Sequence, residues 1–131
     1  MNTVTACIEN SMAYFWISEG ILYVKYKAGT FLGLDNAREL TAERLRLQRE
    51  KPYPVFVDMR KVKNIDRAAR CYFAREGSIL ISAMAIYTPS PQTKAIADFY
   101  LLTNIPVVPT QLFENKHSAI NYLKSFLQPG Y

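Results

Sequence analysis

This 131-residue chain contains few residues of the kinds that carry enzyme chemistry. It has one histidine, two cysteines and five glycines. The glycines form neither GxGxxG nor GxxxxGK, which disfavours nucleotide hydrolysis and dinucleotide binding. The histidine, His117, has Glu114 close in sequence, but no nucleophile accompanies it, so a catalytic pair is not indicated. One histidine and two separated cysteines also argue against a zinc site. We therefore expect no metal, no cofactor and no enzymatic activity.

The cysteines and the hydrophobic segments indicate where the protein resides. Cys7 and Cys71 lie far apart and outside any CxxC spacing, so we expect reduced thiols, buried or half-buried, in a cytosolic protein. The first eleven residues lack the basic and apolar segments of a signal peptide. No apolar run approaches the roughly 20 residues that a membrane-spanning helix needs. The sequence predicts a soluble, cytoplasmic protein.

The length and composition favour one domain over residues 1–131. Half of the residues are hydrophobic. A chain of this size buries about two-thirds of the surface that its unfolded form exposes. Burial on that scale supports a core without help from a disulfide or a metal.

The basic residues are unevenly distributed. The formal net charge is +5, and ten of the sixteen lysines and arginines lie between positions 44 and 75. Such a cluster attracts an acidic protein surface, an anionic lipid or a phosphate, although a solvated helix face is the alternative interpretation. The candidate partner- or anion-binding residues are Arg60, Lys63, Asp66, Arg67 and Arg70. Tyr72 and Phe73 have the spacing of core residues, so specific nucleic-acid binding is not predicted.

Two aromatic-rich runs near the N-terminus predict a β-hairpin over residues 13–26, with Glu19-Gly20 as its turn. If alternate side chains face outward, Tyr14, Trp16 and Tyr23 form an exposed apolar surface. Such a surface suits self-association or ligand contact. A sheet face covered by helices is the alternative.

The second half alternates apolar strands with helices. The strands are predicted at 54–58, 79–87 and 110–113, each followed by an amphipathic or Ala-rich stretch. This alternation is typical of a sheet with helices packed on it. Residues 59–65 are predicted to form a loop anchored by Val62 and Ile65.

Capping residues predict where the four helices begin. The predicted N-caps are Asp35, Asp66, Ser90 and Asn115, for helices near 36–50, 66–76, 91–103 and 116–127. Gly77 is expected to end the second helix in the left-handed conformation. Arg44 interrupts the apolar stripe of the first helix and is expected to extend its charged end to solvent.

The order of elements is similar to that of the SpoIIAA-like group, which is related to the STAS domains of anti-sigma-factor antagonists. The stretches that carry the resemblance are AMAIYTPSP (83–91), ADFY (97–100), PVVPT (106–110), LF (112–113) and AINYL (119–123). They resemble small bacterial STAS-like proteins. The resemblance implies an α/β (α+β) fold. Its mixed sheet would have about five to six strands and an N-terminal antiparallel hairpin, with about four helices packed mainly on one face.

The sequence departs from this group at its regulatory position. Antagonists of the SpoIIAA type are switched by phosphorylation of a serine in an Asp-Ser-Ser-Gly-like context. Here Asp66 is kept, but Arg67 and Ala68 occupy the serine positions. Neither side chain has a hydroxyl to accept a phosphoryl group, so the resemblance implies binding without this switch.

Three functional hypotheses remain. The leading one is a non-enzymatic regulatory or protein-interaction module of STAS type, which binds a protein partner or a second copy of itself. The alternative is a small-molecule or lipid binder, with a cleft between Phe31-Leu32, the first helix and the sheet. Arg60 or Arg67 would then pair with an anionic head. The third is an enzyme with an unrecognised site.

Two carboxylates lie where parallel sheets usually bind ligands. Asp58 is the last residue of a predicted strand, and Asp66 follows the loop after it. Both are expected near the carboxyl edge of the sheet. The alternative is that Asp58 accepts loop N–H groups and that Asp66 caps a helix. Without further polar partners, the pair predicts neither a metal site nor an acid–base site.

Overall fold

Eight strands and four α-helices form the part of the chain that the computed structural model describes, residues 4–127. The strands are β1 (Val4–Glu9), β2 (Ala13–Ser18), β3 (Ile21–Tyr26), β4 (Thr30–Leu32), β5 (Tyr53–Asp58), β6 (Val62–Ile65), β7 (Ile81–Tyr87) and β8 (Thr110–Phe113). The helices are α1 (Leu34–Gln48), α2 (Arg67–Ala74), α3 (Pro91–Thr103) and α4 (Lys116–Lys124). A single 3-10 turn, Glu76–Ser78, follows α2.

Six strands form a mixed sheet in the order β1-β2-β3-β5-β7-β8. The β1–β2 and β2–β3 pairs are antiparallel, and the remaining pairs are parallel. The β2–β3 hairpin turns at Glu19 and Gly20, whose φ angles are 51° and 82°. Two positive φ angles give a turn whose twist matches that of the strands. The predicted α/β fold with an N-terminal antiparallel hairpin is confirmed.

The helices lie on both faces of the sheet, three on one and one on the other. Core residues from α1, α2 and α3 pack with inward residues of the central strands. On the opposite face, Ala119 and Leu123 of α4 pack against Ile21, Phe56 and Ala85. The prediction that the helices pack mainly on one face therefore holds for α1 to α3.

The segment predicted as a loop at 59–65 contains a strand. β6 pairs in parallel with β4 and forms a separate two-stranded sheet. The predicted anchors Val62 and Ile65 are both buried at the ends of β6. Strands this short leave no alternation pattern long enough to separate them from a loop.

The helix caps are partly as predicted. Asp66, Ser90 and Asn115 each accept a hydrogen bond from the backbone N–H three residues later. The prediction for Asp35 is wrong, because α1 begins one residue earlier and Gly33 is its N-cap. The backbone N–H of Gly33 donates to the side chain of Asn36 over 3.0 Å.

The predicted conformation of Gly77 and the predicted burial of the cysteines are also wrong. α2 ends at Ala74, and Gly77 is buried inside the 3-10 turn, where it does not adopt a left-handed conformation. Cys7 and Cys71 are both free, as expected, but both are exposed. Within residues 4–127, no helix is long and apolar enough to cross a membrane.

Candidate functional site

Four aromatic side chains form a row across the sheet on the face that carries α4. We call Trp16, Tyr23, Phe56 and Tyr87 the aromatic row. The Trp16 and Tyr23 rings stack, with centroids 5.1 Å apart and planes 4° apart. The next centroid distances along the row are 5.4 Å and 5.7 Å. Cross-strand aromatic pairs stabilise neighbouring strands and give the surface a fixed shape.

The Trp16 end of the aromatic row is open. α4 packs against β5, β7 and β8. The rings of Trp16 and Tyr23 are only half-buried, and Tyr14 on the same face of β2 is 39% exposed. The three residues that the sequence predicted as an apolar surface therefore face the same side, and helices do not fully cover them.

Cations lie at both ends of this face. The Arg60 guanidinium lies 5.4 Å and the Lys116 ammonium 5.8 Å from the centroid of the Tyr87 ring. The Lys27 ammonium lies 5.0 Å from the centroid of Tyr14. Each distance is within the range of a cation–π interaction. The surface therefore combines aromatic rings with cations, of which Lys27 and Arg60 are paired with carboxylates.

Asp58 fixes the position of Arg60. Its buried carboxylate accepts hydrogen bonds from Nε and Nη2 of Arg60, the latter over 2.8 Å. These bonds raise the pKa of the Arg60 guanidinium, which burial only partly opposes. The carboxylate also accepts the backbone N–H of Arg60, as the alternative interpretation of Asp58 expected.

The other candidate anion-binding residues make their contacts away from Arg60. Asp66 caps α2 by accepting the N–H of Ala69 over 2.9 Å. Arg70 donates to the carbonyl of Ile65 over 2.7 Å and lies 4.7 Å from the Phe99 ring centroid. Asp66 and Arg70 are therefore held by contacts around the start of α2.

Lys63 and Arg67 are exposed, and neither forms an ion pair with a residue that the structure describes. His117 is exposed too, with its Nε2 3.2 Å from the side-chain nitrogen of Asn121. Among residues 4–127, no cluster of three or more His, Cys, Asp or Glu side chains could hold a metal ion. These side chains do not converge on a reaction centre.

A cavity of about 70 Å³ lies on the opposite face, between the helices and the sheet. Most of its lining is apolar: Phe15, Val24, Leu40, Val55, Val57, Met59, Ile65, Phe73, Ile81, Met84 and Ile86. Arg44, Tyr26 and Tyr100 supply its principal polar groups. Arg60 and Arg67, the residues that the sequence suggested for an anionic head, do not line it.

Arg44 is buried, which contradicts the prediction that its charged end reaches solvent. Only 4% of the residue is exposed. Its guanidinium donates to the side-chain oxygen of Gln48 and, over 2.9 Å, to the carbonyl of Gly77. Burial lowers the pKa of Arg44 to about 10, so it remains charged at neutral pH. The sequence showed only that Arg44 falls within the apolar stripe of α1.

Two tyrosines and Thr41 complete the polar side chains of the cavity lining. Tyr26 is 8% exposed and Tyr100 is 5% exposed. Burial raises the pKa of both phenols, so both keep their proton at neutral pH. The Tyr100 hydroxyl has no hydrogen-bond partner among the residues that the structure describes.

Comparison with known proteins places the chain in a family. Residues 15–127 match the family described as Domain of unknown function (DUF7793). The chain belongs to this family. The DUF7793 match includes the β2–β3 hairpin from Phe15 onward, the aromatic row and every residue that lines the cavity. No curated protein matches the chain.

Solved structures show the fold of this DUF7793 protein. An uncharacterised DUF3478-family protein from Shewanella loihica PV-4, with a SpoIIAA-like fold, matches with a TM-score of 0.55 and 11% identity. The match covers 94% of this chain and 95% of that one. A protein of unknown function from Arthrobacter sp. FB24 is 27% identical over 80% of this chain and 86% of that one, with a TM-score of 0.31. The likeness to the Shewanella protein confirms the SpoIIAA-like fold that the resemblance implied.

Proposed function

We propose that this protein is a non-enzymatic, regulatory binding module of STAS type. In this proposal the aromatic row and the cations beside it bind an acidic segment of another protein. The observation that carries the proposal is the stacked Trp16–Tyr23 pair, which stands half-exposed on the sheet face that α4 covers only in part. Aromatic residues at the centre of a surface patch often contribute most of the binding energy.

The charges of this face favour an acidic partner. Lys27 is paired with Glu9 and Arg60 with Asp58. Lys25 lies between Tyr14 and Asp58 in the strand register and forms no ion pair with any described residue. It adds an unbalanced positive charge. Complementary charge on a partner would speed association and orient it.

The same charges oppose self-association through this face. A two-fold dimer places the same patch of each copy against the other. A dimer centred on Lys25 would bring the two Lys25 side chains together at the axis, and like charges at an interface are unfavourable. A second copy is therefore a poorer fit than an acidic partner.

Photo-crosslinking in the source cells tests this proposal. Benzoylphenylalanine is placed at Tyr14, beside the aromatic row, or at Phe99, an exposed aromatic residue of α3 on the other side of the sheet. Mass spectrometry identifies each adduct. The proposal expects one acidic protein captured from position 14 and not from position 99. A purified partner should bind the Lys25→Glu variant at least tenfold more weakly than wild type, and more weakly as salt rises.

Two results would overturn the proposal. One is the same adducts from both positions. The other is unchanged affinity of the captured protein for the Trp16→Ala and Lys25→Glu variants. A crosslinked dimer of this chain would show that a second copy occupies the face.

The cavity beside Arg44 favours a second candidate function, the binding of a small molecule or lipid with an anionic head. The observation behind it is a buried positive charge at the wall of an apolar space. Native mass spectrometry of protein freshly purified from its source cells tests this candidate. A bound mass that survives gentle ionisation supports it, and a bare chain at every collision energy counts against it.

A further inference from the structure

Arg44 is a buried cation without an anionic partner. The salt bridges of residues 4–127 include none to Arg44. The two hydrogen bonds that hold its guanidinium both end on neutral groups, the Gln48 carboxamide and the Gly77 carbonyl. These bonds satisfy part of the donor set but leave the charge uncompensated. Buried charges in proteins are usually paired, because removing an ion from water is costly.

The Tyr100 hydroxyl is a second polar group at the same cavity that lacks a bonding partner. It is buried and has no hydrogen-bond partner among the described residues. Buried hydroxyls are nearly always bonded, so an orphan at a cavity wall indicates a missing acceptor. Tyr26 lies close enough to both Tyr100 and Arg44 to influence, and be influenced by, their charges. Together with the buried Thr41 hydroxyl, four side chains with hydrogen-bond donors line one small space.

We propose that this cavity binds a short-chain carboxylate, whose carboxylate group lies against Arg44 and Tyr100 and whose hydrocarbon part packs among the apolar wall residues. This inference deepens the small-molecule candidate and does not depend on partner binding at the aromatic row.

The chemistry of the lining selects this class of ligand. A carboxylate carries the single negative charge that balances one guanidinium, and its two oxygens accept from planar N–H donors. The tyrosine hydroxyls can donate to the same oxygens. The remaining lining is almost entirely hydrocarbon, which disfavours sugars, nucleotides and dianionic phosphates.

The cavity volume limits the length of the chain. The free space is about 70 Å³. One water molecule needs roughly 10–15 Å³ of such space, so the cavity has room for roughly five or six non-hydrogen atoms. Butyrate is of this size, whereas a long-chain fatty acid exceeds this space.

Gln48 holds Arg44 in position for this role. Its side-chain nitrogen donates to the carbonyls of Lys51 and Leu80, both over 2.8 Å. The carboxamide therefore cannot rotate, and its oxygen must face Arg44. A guanidinium fixed in advance loses little freedom when a ligand binds, which favours affinity.

The test compares butyrate with 1-butanol, which has the same hydrocarbon chain without the charge. Binding to the full chain is measured by titration calorimetry and by the shift in melting temperature, with acetate, hexanoate and octanoate as a length series. We expect saturable butyrate binding that raises the melting temperature, because the ligand binds only the folded state. Butanol should bind at least tenfold more weakly. Equal responses to butyrate and butanol would overturn the proposal.

Matched variants locate the site. Arg44→Met keeps an unbranched side chain in the cavity wall and removes the charge, so we expect butyrate binding to be lost. Arg46→Met is its control on the same helix, because the Arg46 side chain is 72% exposed. Tyr100→Phe removes only the hydroxyl and should weaken butyrate roughly tenfold, the loss of one hydrogen bond to a charged group. Unchanged butyrate affinity in Arg44→Met would contradict the proposal.

A measurement on the wild type decides the case if Arg44→Met fails to fold. Met84 lines the cavity, and its methyl group gives a sharp signal in protein labelled with ¹³C-methyl methionine. Butyrate in the cavity should shift this signal and give a nuclear Overhauser effect to it. The Met12 methyl, whose residue does not line the cavity, should not respond. Equal shifts of Met12 and Met84, or no shift of either at saturating butyrate, would refute binding at this site.

Discussion

The guanidinium of Arg44 donates a hydrogen bond to the side-chain oxygen of Gln48, one turn later on α1. Both residues are buried, with 4% and 1% of their surfaces exposed. Gln48 in turn holds the carbonyls of Lys51 and Leu80. The segment that leads into β5 and the residue before β7 are thus fixed to the same helix that carries the buried charge.

Replacing Gln48 should destabilise the protein more than any exposed change on α1. The Gln48→Ala variant loses three hydrogen bonds and leaves the Lys51 carbonyl and part of a guanidinium unpaired, whereas the Leu80 carbonyl still accepts the backbone N–H of Tyr53. We expect a loss of about 3 kcal/mol in unfolding free energy. Urea denaturation followed by circular dichroism measures it. Arg46→Ala, at an exposed position of the same helix, should change stability by less than about 0.5 kcal/mol. Similar losses in both variants would contradict this role of Gln48.

Tyr100 should make the protein less stable at alkaline pH. Burial raises the pKa of Tyr100 in the folded state, so its phenol ionises more readily in the unfolded chain. Its contribution is complete below about pH 10, the usual tyrosine value. The contribution declines as pH rises from there towards the folded-state pKa.

The measurement is the unfolding free energy at pH 8 and at pH 11. Between these two pH values, the Tyr100→Phe variant should lose about 1 kcal/mol less unfolding free energy than wild type loses. The lowered pKa of Arg44 acts in the opposite direction, but it is present in both proteins. Tyr14→Phe, with a ring that is 39% exposed, is the matched control and should behave as wild type. Identical pH profiles for Tyr100→Phe and wild type would refute the prediction.

The two aspartates that the sequence proposed as N-caps should respond differently to removal. Asp66→Ala removes the bond to the Ala69 N–H and should cost about 1 kcal/mol. Asp35→Ala changes a side chain that is 99% exposed within the first turn of α1, and should cost less than about 0.5 kcal/mol. Thermal denaturation of both variants in one buffer measures the difference. Equal losses would mean that Asp35 caps α1 after all.

The stacked pair of the aromatic row can be followed by fluorescence, since Trp16 is the one tryptophan of the chain. Tyr23→Ala removes the ring that stacks on it, so acrylamide should quench Trp16 more strongly and stability should fall by about 1 kcal/mol. Tyr53→Ala is the control, because Tyr53 is also half-buried but lies outside the row. Quenching that rises equally in both variants would contradict the stacked arrangement.

The sequence correctly predicted those elements that depend on residues close together in the chain. The hairpin depends on Glu19-Gly20 between two aromatic-rich runs, and α3 begins where Ser90 and Pro91 predict. Each signal lies within a few residues of the structure that it specifies. The fold class followed from these signals and from the resemblance to SpoIIAA-like proteins.

The burial of Arg44 could not be read from the sequence in the same way. Its position in the stripe of α1 was visible, but its carbonyl partner belongs to Gly77, 33 residues later. Gly77 was predicted to end a helix, because glycine is common at that position, but it lies in a buried 3-10 turn. A charge is held inside a protein by contacts that only the tertiary structure brings together.

The alternation of side chains along the central strands places the cavity and the aromatic row back to back. Each of four strands carries a cavity residue next to a row residue in sequence. The pairs are Phe15 with Trp16, Val24 with Tyr23, Val55 with Phe56, and Ile86 with Tyr87. The two surfaces are separated by the thickness of a single sheet. We therefore expect a strand that shifts to admit a molecule on one side to tilt the rings on the other, which would couple the two faces without a hinge or a moving domain.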